Sequence, residues 1–402
     1  MVYKKTVEKG YMILFLPEKF LYLTEEKKIE YKGITLKTEY LIHLINEMVE
    51  KYYFRKDDTL DNEIKFNLSS LILRINYTHR YNYYMNYLID NDFIVLVSDY
   101  HVGTKTRTYR LDRDCLVHMR RVRITDRTLI KKNSREFLKK TYLSLNNSPI
   151  PLGIREKVVN DLYDIKLDYD SALNYIDNLK KLKQIPFYKY WKNYISLENL
   201  KNERIFFKFD EYGRLHTNFT VLKREIRKMF LSIDGEILSE IDLSNSQPLF
   251  LGVLMKKEMT ISEIIKPEIT RYLELVSNGL IYEELINKCD VEGRDEAKLM
   301  MYKVLFGQNG DSKKYNKMFY SVFPTVYKFI KDYKRSKNDY KTLSHALQNL
   351  ESEFIFNKVI NHLMETNPEI KLFTVHDSIC FPLKYKKIVT NIFDYYKRKL
   401  LD

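Results

Sequence analysis

Two aspartates sit where a carboxylate could do chemistry. Asp242 lies in "SEIDLSNSQP", at the end of a strand that follows a hairpin signal at Asp234-Gly235, and Ser244, Asn245 and Ser246 with Pro248 then open a helix. Asp377 lies in "TVHDSICFP". Read in alternation, Val375, Asp377 and Ile379 share one strand face, with His376 and Ser378 on the other. A carboxylate in apolar company is costly to bury unless a cation offsets it. Two carboxylates on neighbouring strands suit Mg2+, which takes oxygen ligands and uses one or two carboxylates beside substrate phosphates. Such a pair can hold two ions that stabilise the attacking and leaving oxygens of a phosphoryl displacement. Lone aspartates at strand ends are common, so this pair alone does not assign a function.

A second pattern lies between them. In "GRDEAKLMMYKVLFGQNG", Arg294, Lys298, Tyr302 and Phe306 follow at four-residue steps. Steps of four on an α-helix drift by only about 40° each, so the four side chains form one slanting stripe. Two cations followed by two aromatics suit a nucleoside triphosphate, with phosphates on the cations and base and sugar on the rings. The same stripe would also serve as an ordinary surface that merges into a core. Gly307 and Gly310 then break the helix or admit a close backbone approach.

Together these stretches resemble the ordered motifs of the family A, DNA polymerase I-like polymerases and the related single-subunit phage RNA polymerases. "GRLHTNFT" resembles the motif whose Arg, here Arg214, reaches the primer-template minor groove. "DLSNSQ" is similar to the motif whose Asp and following carbonyl, here Asp242 and Leu243, hold metal. Arg294, Lys298, Tyr302 and Phe306-Gly307 match the fingers-helix motif step for step. Phe323-Pro324 resembles the aromatic-Pro that follows it, Gln348 in "HALQNLESEF" a duplex-contacting Gln, and "VHDSI" the motif that carries the second metal ligand, Asp377. His376 is placed with Arg214 and Gln348 at the primer-template. The resemblance spans roughly 212–382. It implies an α+β right-hand palm with an antiparallel sheet, helical fingers and a thumb. It also implies a DNA primer-template, with RNA as an alternative template, nucleoside triphosphates, and two Mg2+ ions, with Mn2+ as a substitute. In that scheme Asp242 and Asp377 hold metal, Arg294 and Lys298 bind the triphosphate, Lys298 protonates the leaving pyrophosphate, and Tyr302 and Phe306 pack on base and sugar.

The departures are informative. The segment between Phe306 and Gln348 is short, so trimmed fingers are expected. Ser378 stands where DNA polymerases usually carry a second acidic residue, as in the RNA polymerases. Gln247 stands where many DNA polymerases have a Glu that gates the sugar, and Phe306 where a Tyr is usual. No acidic exonuclease motif stands upstream. The expectation is a DNA-directed DNA polymerase without proofreading. The alternatives are an RNA polymerase or primase on the same palm, and a winged-helix replication factor with an inactive palm.

The N-terminal part must position something else. "LKTEYLIHLINEMVEKYYF", "NLSSLILRI" and "YTHRYNYYMNYLIDNDF" read as three helices, and "FIVLVSDYHVGTKTRTYRL" as a hairpin with a basic tip. This order resembles a winged helix-turn-helix, in which Lys105, Arg107 and Arg110 sit where a wing meets phosphate. A protein-interaction role suits the same pattern. The expected domains are 1–115, winged-helix-like; 116–212, a basic helical connector and thumb; and 213–402, palm and fingers. In the connector, Pro186 divides two helical runs.

Composition agrees in kind. The chain has 402 residues and a formal charge of +14, which favours a polyanion, nucleic acid first and an anionic membrane surface second. The abundance of Lys, Asn, Tyr and Ile also fits an AT-rich genome. Cys115, Cys289 and Cys380 lie far apart, which argues against structural zinc or a disulfide framework. The apolar run from Tyr11 to Pro17 is too short to span a bilayer and lacks a cleavage site. A cytoplasmic protein is expected, in the host cytoplasm if the gene belongs to a phage or plasmid.

Overall fold

The computed structural model describes residues 10–54, 63–65, 81–99, 107–112, 114–143, 145, 148–310, 312–336 and 339–401. The chain is α+β with small antiparallel sheets. It divides into two compact units, Met1–Tyr142 with Tyr169–Arg204, and Leu143–Asp168 with Ile205–Asp402. This corrects the expected boundaries at 115 and 212. The basic stretch does not stand apart as a connector, because its parts pair and pack with both flanking regions.

In the first unit, the apolar run that opens the chain is a strand, Met12–Pro17, paired antiparallel with Met119–Ile124. The latter, "MRRVRI", begins the stretch expected to be helical. Alternation buries Val122 and Ile124, Met119 is buried at the strand's start, and the arginines are exposed. The pair packs on the helix Phe187–Lys201, with Phe15 meeting Trp191 edge-on at 6.0 Å. Pro186 is the N-cap of that helix, where its missing N–H costs nothing. The helix Thr38–Tyr53 forms as the sequence predicts, and "YNYYMNYLID" is helical over Tyr81–Asp90. A three-stranded sheet has the order Glu63–Lys65, Thr108–Leu111, Ile94–Ser98, its first strand coming from a stretch that carried no expectation. The second expected helix, the start of the third, and the hairpin tip with Lys105 lie outside the described residues.

The second unit is built on a five-stranded antiparallel sheet. Its order is Phe373–Val375, Ser378–Pro382, Glu236–Asp242, Leu231–Ile233, Ile165–Leu167. Asp234 and Gly235 both take positive φ in the tight turn between Leu231–Ile233 and Glu236–Asp242, the geometry that an Asp-Gly hairpin favours. The edge strand Ile165–Leu167 follows the helix Leu152–Leu162, so this part of the expected connector belongs to the sheet. Helices from Ser246–Glu258 to Pro324–Ser336 follow Asp242. The helix Thr342–Ser352 then runs into a π-helical stretch, Glu353–Ile360, and on into Asn361–Thr366 before the chain re-enters the sheet. Among the described residues no helix is long and apolar enough to cross a membrane.

Candidate active site

Asp242 ends its strand as expected, and its Cα partner across the ladder is Ser378. Asp377 does not share a strand face with Val375 and Ile379, which corrects the alternating reading. The strand breaks after Val375, and His376-Asp377 forms a two-residue turn into Ser378–Pro382, with His376 at φ +54°. The turn puts Asp377 one residue from the cross-strand partner of Asp242, at the same end of the sheet. Burial raises the Asp377 carboxyl above its ordinary range, and the charge of Asp242 raises it further. Asp242 itself is exposed and lies 3.9 Å from Arg224 Nη2. Leu243 is buried, so its side chain anchors the segment that leaves the strand.

The donor set fits a hard divalent cation. Two carboxylates from adjacent strands converge on one end of the sheet, and the repulsion that Asp377 feels is what a cation would relieve. Among the described residues no group of three or more His, Cys, Asp or Glu side chains forms a cage. Magnesium does not require one where phosphates complete its shell.

The Arg294–Phe306 helix lies between Gly293 and Gly307. It buries Ala297, Met300, Met301, Val304 and Leu305, while Arg294, Lys298 and Tyr302 are exposed and Phe306 half-buried. The stripe therefore faces outward. Tyr302 and Phe306 meet with ring centroids 5.0 Å apart. Lys298 makes a long 4.0 Å pairing with Asp295. Arg294 pairs with Glu283 and lies 5.5 Å from the Tyr282 ring centre. Burial raises the Tyr282 hydroxyl, while the charge of Arg294 lowers it and that of Asp377 raises it. A buried lysine that the sequence did not flag, Lys334, donates to the carbonyls of Val304 and Gly307 at 2.7 and 2.8 Å. It satisfies the carbonyl end of the helix and places a cation where the helix dipole is negative.

Arg214 sits in a turn held by Asp210, whose Oδ1 accepts the backbone N–H groups of Tyr212 and Arg214 at 3.0 and 2.9 Å. Gly213 there has φ +84°, and an added Cβ would come within 3.0 Å of Ile150 and Ser352. Glycine thus lets the turn press against the Thr342–Ser352 helix. The contact delivers Arg214 to Glu351, a carboxylate that the sequence did not flag. Nε donates to Oε1 at 2.8 Å and Nη2 to Oε2 at 2.9 Å. Ser246 Oγ and Gln247 Nε2 donate to the same Oε2 at 3.0 and 2.5 Å. Glu351 is 2% exposed, and burial pushes its carboxyl up to about 7 in spite of Arg214. Gln247 Oε1 is buried without a hydrogen-bond partner. Gln348, one turn earlier on the helix, is half-buried.

His376 lies among cationic groups. The residue keeps an exposed edge, but desolvation of its imidazole by the surrounding groups lowers it well below the ordinary range, and Arg214, His216 and Arg227 lower it further. Behind Asp242 on its strand, Glu240 pairs with Arg224 at 2.9 Å and Arg227 at 3.6 Å, and the Ser378 hydroxyl lies 3.1 Å from it. Burial opposes ionisation of Glu240, but these partners hold it below the usual carboxylate range.

In the first unit, Arg107 pairs with Asp99 at 2.8 Å, and Arg110 is exposed on Thr108–Leu111. No protein-family model matches this chain, and no curated protein matches it in sequence.

Proposed function

We propose that this chain is a template-directed nucleotidyltransferase, a DNA-directed DNA polymerase without proofreading, with a palm resembling that of the family A polymerases. The observation that carries the reading is the hairpin turn that sets Asp377 one residue from the ladder partner of Asp242, at the same end of the sheet. Mg2+ held by Asp242 and Asp377 would supply Lewis-acid stabilisation of the transferring phosphoryl group. The chain's own groups do the rest. Arg294 and Lys298 bind the triphosphate, and Lys298 donates a proton to the leaving pyrophosphate. Tyr302 and Phe306 pack on base and sugar. Arg214, Gln348 and His376 face the primer-template. The sheet order of the first unit, with the strand after the first helix paired to the last strand of the hairpin, supports a winged-helix role in DNA binding, with Arg107 and Arg110 on phosphate.

A second reading, an RNA polymerase or primase on the same scaffold, is favoured by Gln247. Glu351 takes its amide N–H and leaves its carbonyl oxygen bare, an acceptor that suits a ribose hydroxyl. Primer extension with dNTPs and NTPs in parallel, on DNA and RNA templates with Mg2+, tests both. No incorporation in any combination would overturn the proposal.

A further inference from the structure

Glu351 gathers three donor residues from two separated segments, namely Arg214 from the 210–217 hairpin and Ser246 and Gln247 from the start of the Ser246–Glu258 helix. A buried ion pair is weak as a stabilising device, since a packed apolar group of similar volume often does as well. The position of this one points elsewhere. Its arginine is a neighbour of Asp377. His216, two residues on from Arg214, meets the His376 ring at 5.9 Å, which brings this hairpin against the turn that carries Asp377, and the charge of Arg214 acts on Asp377 as well as on Glu351. Arg214 thus has two carboxylates within electrostatic reach and grips one of them with both arms of its guanidinium. A cation that settled on Asp377 would take up the charge that a divalent metal needs.

We propose that Glu351 is a positioning residue that holds Arg214 away from Asp377 and so keeps Asp377 open to a divalent cation. The inference rests on the proposed cation site at Asp242 and Asp377. Glu351 itself does not touch the metal. It fixes Arg214 in a two-point geometry that Lys or a neutral residue cannot reproduce. Without its charge, Arg214 turns to Asp377 and competes with the cation.

The test uses Mn2+ as the probe, with binding to the full chain read by electron paramagnetic resonance in the absence of nucleotide and DNA. Glu351→Gln keeps the shape and removes the charge. It should weaken Mn2+ binding by about 10–100-fold, the usual effect of losing a partner behind a metal ligand. Glu351→Gln combined with Arg214→Met should restore binding to within about threefold of the parent, a rescue that a merely structural role would not give. Should Glu351→Gln fail to fold by circular dichroism, Arg214→Met alone decides. It leaves the Glu351 charge in place and removes the competitor, so Mn2+ must bind at least as tightly as to the parent. Unchanged binding in Glu351→Gln, a double variant no better than the single, or weakened binding in Arg214→Met would overturn the proposal. Asp377→Asn separates this from the underlying reading. If the parent and Asp377→Asn bind Mn2+ alike, the cation site itself is wrong, and the role of Glu351 falls with it.

Discussion

Replacing Asp377 with Asn should make the protein more stable and inactive, and Mg2+ should reverse the order of stability. The carboxylate is half-buried beside Asp242, and both effects oppose its ionisation. Asn keeps the shape and removes the charge. Relief of strain at a functional site is commonly worth about 0.5–2 kcal/mol. For 150–250 residues, each kcal/mol shifts Tm by about 2–4 °C. In EDTA the variant should therefore melt a few degrees above the parent. The sign follows from linkage. The folded protein holds this proton more tightly than the unfolded chain, so the parent's deficit is absent in acid and grows as pH rises through the folded value. The Asn variant lacks that slope. With Mg2+ at about 100 times its Kd, the parent gains about 2.7 kcal/mol, and the variant, short of one ligand, gains little. Scanning calorimetry in EDTA and in Mg2+ reads the crossing. Primer extension should fall about a thousandfold, if Lewis-acid stabilisation worth about 4 kcal/mol is lost. A variant less stable than the parent in EDTA, or equal Mg2+ stabilisation of both proteins, would refute the reasoning.

Asp161 is buried, accepts the Leu372 N–H at 2.9 Å, pairs with Lys157, and is pushed by burial up to about 6. The parent should lose up to about 3 kcal/mol of stability as pH rises from roughly 4 to 6, and Asp161→Asn should lack that loss in urea titrations at pH 4 and 7. Arg110→Gln should weaken duplex binding on all sequences and lower the salt slope by about 1, read by fluorescence anisotropy across a salt series. If Gln247 crowds the sugar, a clash worth about 1–3 kcal/mol outweighs a hydrogen bond netting about 0.5–1.5 kcal/mol. The parent should then prefer dATP over ATP by about tenfold to a hundredfold, and Gln247→Gly should shrink the ratio. A parent that prefers ATP would select the RNA polymerase reading.

What could be read from the sequence was local. The four-residue steps of Arg294, Lys298, Tyr302 and Phe306 define a helix face by geometry alone, and that face is the outward one. Asp234-Gly235 encodes its turn chemically. The strand ending at Asp242 followed from that hairpin signal. The turn at His376-Asp377 was hidden because the flanking residues alternate across it, and only pairing with Glu236–Asp242 shows where the strand folds back. Glu351 carried no signal, since its partners stand 104 to 137 positions away. The strand Met119–Ile124 was missed because its arginines read as a continuation of the basic helices, while its partner lies at the other end of the unit.

The passage of the chain between its two units bears on how the protein is made and inherited. Leu143–Asp168 is built into the second unit, and the chain then returns to the first for Tyr169–Arg204. On the ribosome, the first unit cannot close until Arg204 has emerged. The strand Ile165–Leu167 must wait unpaired for Leu231–Ile233. The ladder that brings Asp242 to Ser378 cannot form until Ser378–Pro382 has been synthesised. A prematurely terminated product should therefore be inert and exposed to proteases, with no half-working form. A single genetic crossover likewise cannot exchange one unit and leave the other whole. A recombinant that exchanges one unit whole must have crossed over at all three junctions, after Tyr142, Asp168 and Arg204, so the two should pass between genomes as one piece.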